Sequence, residues 1–301
     1  TAAGFGGTWV AAPWATQDIA PLTVAFVRFT LAAVLLLGWT RIRGASLALE
    51  RRDLPIVLGV ALTSVIGYNV LFLYGVTLAP ANHGAILVPG LIPLATLALS
   101  RFLLGATVVR RQVAGIGLSL VGLALVVGPA LTGSETVLEG DVLFIVSAGV
   151  WASYTLIGRA SRLDSAVLTF WGVAIGAAGL LPLALIVGGA GAHLDQLGAA
   201  PQRALLSVAY LGSIGTVLSF VTFLEGVKLI GPQRATAYSV LIPVFGLVLV
   251  AIFLNEPLTA VSLVGAVIVL AGLRVTQTAA AATASAATPR DEPEHSTPEP
   301  A

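Results

Sequence analysis

The 301-residue chain contains no cysteine and no methionine. Disulfides, thiol nucleophiles and thiolate metal sites are thereby excluded. Even position 1 is not Met, so the sequence does not open on an initiator. Charge is scarce as well: Asp, Glu, Lys and Arg make up 10% of the residues, against about 25% in ordinary soluble domains. The three histidines are far apart in sequence and suggest no metal cluster, so no metal or cofactor is expected. A net charge of +1 leaves no basic footprint for a nucleic-acid partner.

What abounds is apolar sequence: 57% of residues are hydrophobic and the mean hydropathy is +0.99. A bilayer core about 30 Å thick takes roughly 20 apolar residues per helix, and only helices or closed barrels satisfy the backbone there. The apolar runs here have helix length. They predict an all-α integral membrane protein with ten transmembrane helices, over 2–16, 21–39, 54–78, 82–104, 112–131, 141–159, 165–188, 204–227, 232–254 and 258–275. The first run has no basic leader and passes directly into a second, so no cleavable signal peptide is expected. From Thr276 the composition is polar and Ala/Pro-rich, which predicts a disordered cytoplasmic tail over 276–301.

One stretch is written twice. Gly75-Val76 and Leu91-Ile92-Pro93 return as Gly226-Val227 and Leu241-Ile242-Pro243. Gly115, Leu120, Gly122 and Leu123 likewise return as Gly265, Leu270, Gly272 and Leu273, about 150 residues on. With five spans per copy the second copy must be upside down. This predicts two inverted five-helix repeats, 1–131 and 132–275, with a site near mid-membrane between them. Basic residues agree. With a cytoplasmic N-terminus, the inside loops hold Arg41, Arg43, Arg51, Arg52, Arg101, Arg110, Arg111, Arg159, Arg162, Lys228, Arg234, Arg274 and Arg290, whereas the outside loops hold only Arg203. The expected setting is a bacterial-type inner membrane, with both termini cytoplasmic.

Candidate site residues follow from what is costly or unusual in a bilayer. Pro89, Pro93 and Pro243 break helix hydrogen bonding in spans 4 and 9 and are read as hinges. Prolines are also common in membrane helices generally. Trp9, Tyr68, Tyr74, Trp151, Tyr154, Trp171 and Tyr238 carry rings with polar tips, suited to lining a solute path; the competing reading is an interfacial aromatic belt. Arg28, roughly two turns into span 2, needs a partner and is a candidate for a substrate carboxylate, or for snorkelling toward Asp18. His83 opens span 4 as a cavity donor or a solvated loop-end residue. No Asp or Glu falls at a predicted span centre, so a buried carboxylate relay for protons is not expected. The glycine stripes read as close helix packing.

Ile230-Gly231-Pro232-Gln233-Arg234-Ala235, Pro243, Asn255-Glu256-Pro257-Leu258, Gly265 with Leu270-Ala271-Gly272, and Arg28-Phe29 together resemble the ten-helix EamA-type branch of the drug/metabolite transporter superfamily. One departure is visible: the Gly-Glu that members often carry after span 4 reads Gly105-Ala106. The resemblance implies export of small metabolites, amino acids first, by alternating access, with spans 5 and 10 at the periphery. Aromatic side chains and the lack of clustered charge favour neutral and aromatic amino acids. A sugar-phosphate or nucleotide-sugar exchanger of the same superfamily is the alternative, but it would need several buried cations. An intramembrane enzyme would need a nucleophile–base pair or metal cluster that no spacing suggests. A passive channel is separated from a carrier by counterflow. The partners expected are a small-molecule substrate and the lipid bilayer, and a monomer is compatible with this reading.

Overall fold

Apolar sequence that cannot hydrogen-bond to lipid closes its backbone on itself, and the chain does so over most of its described length. A computed structural model describes residues 1–105, 107–131, 135–188, 190–230, 241–256 and 258–287. Among these there are helices and no strands. The helices are α1 (Ala2–Thr16), α2 (Pro21–Ile42), α3 (Leu54–Leu78), α4 (Ala81–Leu104), α5 (Arg110–Leu131), α6 (Glu135–Arg159), α7 (Ser165–Gly188), α8 (Ala190–Ala199), α9 (from Gln202 to Ile230), α10 (Leu241–Phe253) and α11 (Ala260–Ala287). Each of the ten expected segments is helical over most of its described length, the tenth beginning at Ala260 rather than at 258. Among the described residues seven helices are long and apolar enough to cross a membrane, and Leu241–Phe253 is a shorter apolar one.

Two features differ from expectation. The connection before α9 contains the short helix α8, whose Gln196 Oε1 accepts from the Ala20 backbone N–H at 3.1 Å, next to the start of α2. Helix α11 also runs past the expected end at 275 to Ala287. Its last residues are Ala-rich, and alanine has the best helix propensity, which offsets the polar composition.

Helix ends are set by local chemistry. Pro21 sits at the first position of α2, where its missing N–H costs nothing. Helix α4 ends on Gly105 at φ 64, with its N–H returning to the Ser100 carbonyl. Both α3 and α9 pass through a π-helical segment, Ala61–Gly67 and Ser213–Leu218, at corresponding places about 150 residues apart.

The packing pairs are systematic. Helix α4 lies on α6 and α10 on α1; α3 lies on α6 and α9 on α1; α2 lies on α7 and α5 on α11. Each pair becomes its companion, or itself, when a helix is exchanged for the one five spans along. Helices α5 and α11 approach through their small residues: a Cβ on Gly122 would fall 2.6 Å from the Gly265 carbonyl oxygen. Large apolar side chains such as Val34, Leu62, Leu206 and Val267 face outward at 59–65% exposure. In water such a girdle would be a liability; against lipid it is the solvated face.

Candidate functional site

Arg28 is only 3% exposed, yet it carries a charge that cannot be shed. From α2 its Nη1 donates to Asn69 Oδ1 at 3.0 Å, while Nε and Nη2 donate to Thr216 Oγ1 at 3.2 and 3.0 Å. Asn69 follows the π-helical segment of α3, and Thr216 lies inside that of α9. A π turn displaces a carbonyl from its ordinary partner, and side chains five residues on collect it. Asn69 Nδ2 donates to the Ser64 carbonyl, Thr216 Oγ1 to that of Leu211 and Ser219 Oγ to that of Ile214. Held in this way, Asn69 and Thr216 turn acceptor atoms toward the guanidinium. Two of its five N–H groups still lack an acceptor, and no carboxylate pairs with it among the described residues.

Beside this cation runs a ladder of rings. Phe144 meets Trp9 at 5.6 Å between centroids, Trp9 meets Phe72 at 4.9 Å, and Phe72 stacks on Tyr68 at 5.7 Å. Tyr68 meets Trp151 at 4.6 Å, and Trp151 touches Tyr154 at 5.0 Å and Phe220 at 5.2 Å. Phe5 closes on Trp151 and Phe220, each at 5.8 Å. Helices α1, α3, α6 and α9 all contribute. The polar tips of Trp9, Tyr68, Trp151 and Tyr154 make no hydrogen bond to another described residue. A narrow gap lined by Val60, Ser64, Tyr154, Thr169, Phe220 and Leu224 borders the ladder. The Ser64 carbonyl, which accepts from Asn69, ties the gap to the Arg28 network.

The structure thus brings together Trp9, Tyr68, Trp151, Tyr154 and Arg28. Arg28 meets Asn69 and Thr216 rather than Asp18 or the headgroup region. Tyr74 lies farther along α3, half-buried and outside the ladder. Trp171 spends its indole N–H on the Leu47 carbonyl at 3.1 Å, securing the α2–α3 connection. Pro89 and Pro93 lie inside an unbroken α4, and Pro243 is buried near the start of α10. Tyr238 lies outside the described residues. Asn69, Thr216, Phe5 and Phe220 escaped the sequence reading; a lone Asn or Thr within an apolar run was the available signal.

His83 stands apart, at the Pro80 end. Its Nδ1 is 3.1 Å from both oxygens of Asp141, a residue of α6 with no exposed side-chain surface. Asp141 opens its predicted span, so a search for carboxylates at span centres passes over it. Next to it, Glu256 Oε1 and Oε2 accept from the backbone N–H groups of Ala81 and Asn82, each at 3.0 Å, capping α4 from the α10–α11 connection.

Sequence comparison places these features in a family. The EamA-like transporter family matches residues 1–128 and 138–278. A probable amino-acid metabolite efflux pump of Salmonella typhimurium is 26% identical over 85% of both chains. A probable terminal-alkyne amino-acid exporter of Streptantibioticus cattleyicolor is 27% identical, over 85% of this chain and 81% of its own. An uncharacterized Bacillus subtilis transporter, YyaM, is 27% identical over 89% and 88%. A solved crystal structure at 21% identity has the same fold, with a TM-score of 0.69 over 93% of this chain and 95% of that one. Buried polar chemistry inside a lipid-facing helical bundle and these relatives lead to one conclusion: the chain is a membrane transporter of the EamA-like family, within the drug/metabolite transporter superfamily.

Proposed function

We propose that the protein exports amino acids across a bacterial-type inner membrane, favouring neutral and aromatic ones, by alternating access between inverted units 1–131 and 132–275. The observation that carries this reading is the buried Arg28, which has neutral partners, no carboxylate and two unused N–H groups. A substrate carboxylate takes the guanidinium fork in two parallel bonds. Asn69 Oδ1 and Thr216 Oγ1, released from the cation, then accept from the substrate ammonium group. The neighbouring rings receive an apolar or aromatic side chain. Names of relatives at 26–27% identity point the same way, and the exchange symmetry of the packing pairs supports the paired units.

A sugar-phosphate exchanger is less well served. Among the described residues Arg28 is the buried Lys or Arg, and a phosphate dianion calls for more than one. Counterflow in proteoliposomes loaded with unlabelled phenylalanine separates the two. Labelled phenylalanine should accumulate transiently and saturably, and labelled glucose 6-phosphate should not. Glucose 6-phosphate counterflow without phenylalanine counterflow would overturn the reading in favour of the alternative.

A further inference from the structure

The first turn of α4 is held by two carboxylates, and both come from the proposed second unit. Glu256 caps the N–H groups of Ala81 and Asn82 with one oxygen each. Asp141, fully buried on α6, receives His83 Nδ1 between its two oxygens. A neutral imidazole with its proton on Nδ1 can donate to Asp141; a second proton, arriving at Nε2, makes the pair neutral overall. Other charged groups on the elements packed around this turn are acidic: Glu135 and Glu139 on the first turns of α6, and Asp18 just after α1. Tyr74 lies on the last turns of α3. Arg203, at the start of α9, is also at this end, but its Nη2 donates to Gln17 Oε1 at 2.9 Å and its guanidinium lies over the Trp14 ring. Among the described residues His83 is the group in contact with Asp141 that can supply positive charge.

We propose that His83 and Asp141 form a proton-binding site that closes the Pro80 end of the transporter. With His83 protonated, the buried Asp141 carboxylate has its counter-ion and α4 stays docked under Glu256. With His83 neutral, two carboxylates share one helix N-terminus, whose partial charge of about +0.5 cannot balance both. The turn then separates from α6 and Glu256, and the mouth opens. Closing this mouth therefore takes up one proton from the solution it faces, giving the transporter a proton step that the absence of carboxylates at span centres had argued against. The consequence for flux rests on the alternating-access reading, but the motion itself is measured without any substrate.

The chain has no cysteine to interfere with labelling. Nitroxides at Thr77→Cys on α3 and Ala260→Cys on α11, both exposed at this end, report the opening by electron–electron distance measurement in lipid nanodiscs at about pH 5.5 and about pH 8.5, bracketing the histidine range. A single short distance in acid and an added longer population in alkali are expected, with the pH response lost in His83→Gln. The same distribution at both pH values, or a response that survives in His83→Gln, overturns the proposal. Should His83→Gln fail to fold, the label-free protein with isotope-enriched histidine serves. Its His83 ring resonances should respond to pH differently in Asp141→Asn; an identical response in the two proteins overturns the proposal as well. Failure here with phenylalanine counterflow intact removes the proton site alone.

Discussion

The substrate role proposed for Arg28 can be separated from stability. A buried ion is expensive to dehydrate, and replacing one with an apolar side chain of similar size is often neutral or stabilising. Arg28→Leu leaves Asn69 bonded to Ser64 and Thr216 to Leu211, losing only their outward acceptor contacts. Thermal unfolding followed by tryptophan fluorescence should therefore change by no more than about 2 kcal/mol, while phenylalanine counterflow falls at least tenfold. A collapse of stability in step with transport would make Arg28 a structural strut. At this scale the sequence was half legible. An arginine inside an apolar run announces itself by its cost, but its partners lie 41 and 188 residues away. Only the fold brings Asn69 and Thr216 to it. Asp141 was hidden for the same reason: its partner is 58 residues distant, and it sits at the edge of a span.

Helices were easier to read than their interiors. Runs of apolar residues ending in Gly, Pro or Arg located α1 to α5 and α7 within a few residues, whereas α6 begins at Glu135, well before the expected 141. The π-helical segments of α3 and α9 were invisible, because one widened turn leaves no periodicity to detect. Small residues in α5 and α11 were read as close packing, and the geometry sets a test. A side chain on Gly122 meets backbone, the Gly265 carbonyl oxygen and the Val269 nitrogen, whereas a Cβ on Gly117 of the same helix meets nothing within 4 Å. Gly122→Leu should therefore cost about 1–3 kcal/mol, seen as a melting point several degrees lower in detergent. Gly117→Leu should leave it unchanged. Equal effects would mean that α5 and α11 are not held by this contact.

For the whole molecule, the proposed orientation puts Arg41, Arg43, Arg51, Arg52, Arg101, Arg110, Arg111, Arg159 and Arg162 at one end of the bundle. Asp18, Glu135, Glu139, Asp195 and Glu256 are at the other, with Arg203. Because the background is free of thiols, Arg51→Cys and Arg203→Cys test it directly. An impermeant maleimide added to intact cells should label position 203 and spare position 51; labelling of both would dismantle the two-unit arrangement. Within that arrangement the cap on α4 has no twin among the described residues. Counting back about 150 residues from Glu256 leads to Ala106, which has no carboxylate, and forward from Asn82 to Pro232, which has no N–H to be capped. Two interchangeable copies would shut either doorway with equal ease. With the clasp seen at one alone among the described residues, the proposed arrangement predicts an empty carrier that, while His83 is protonated, rests open toward the end that bears the basic loops.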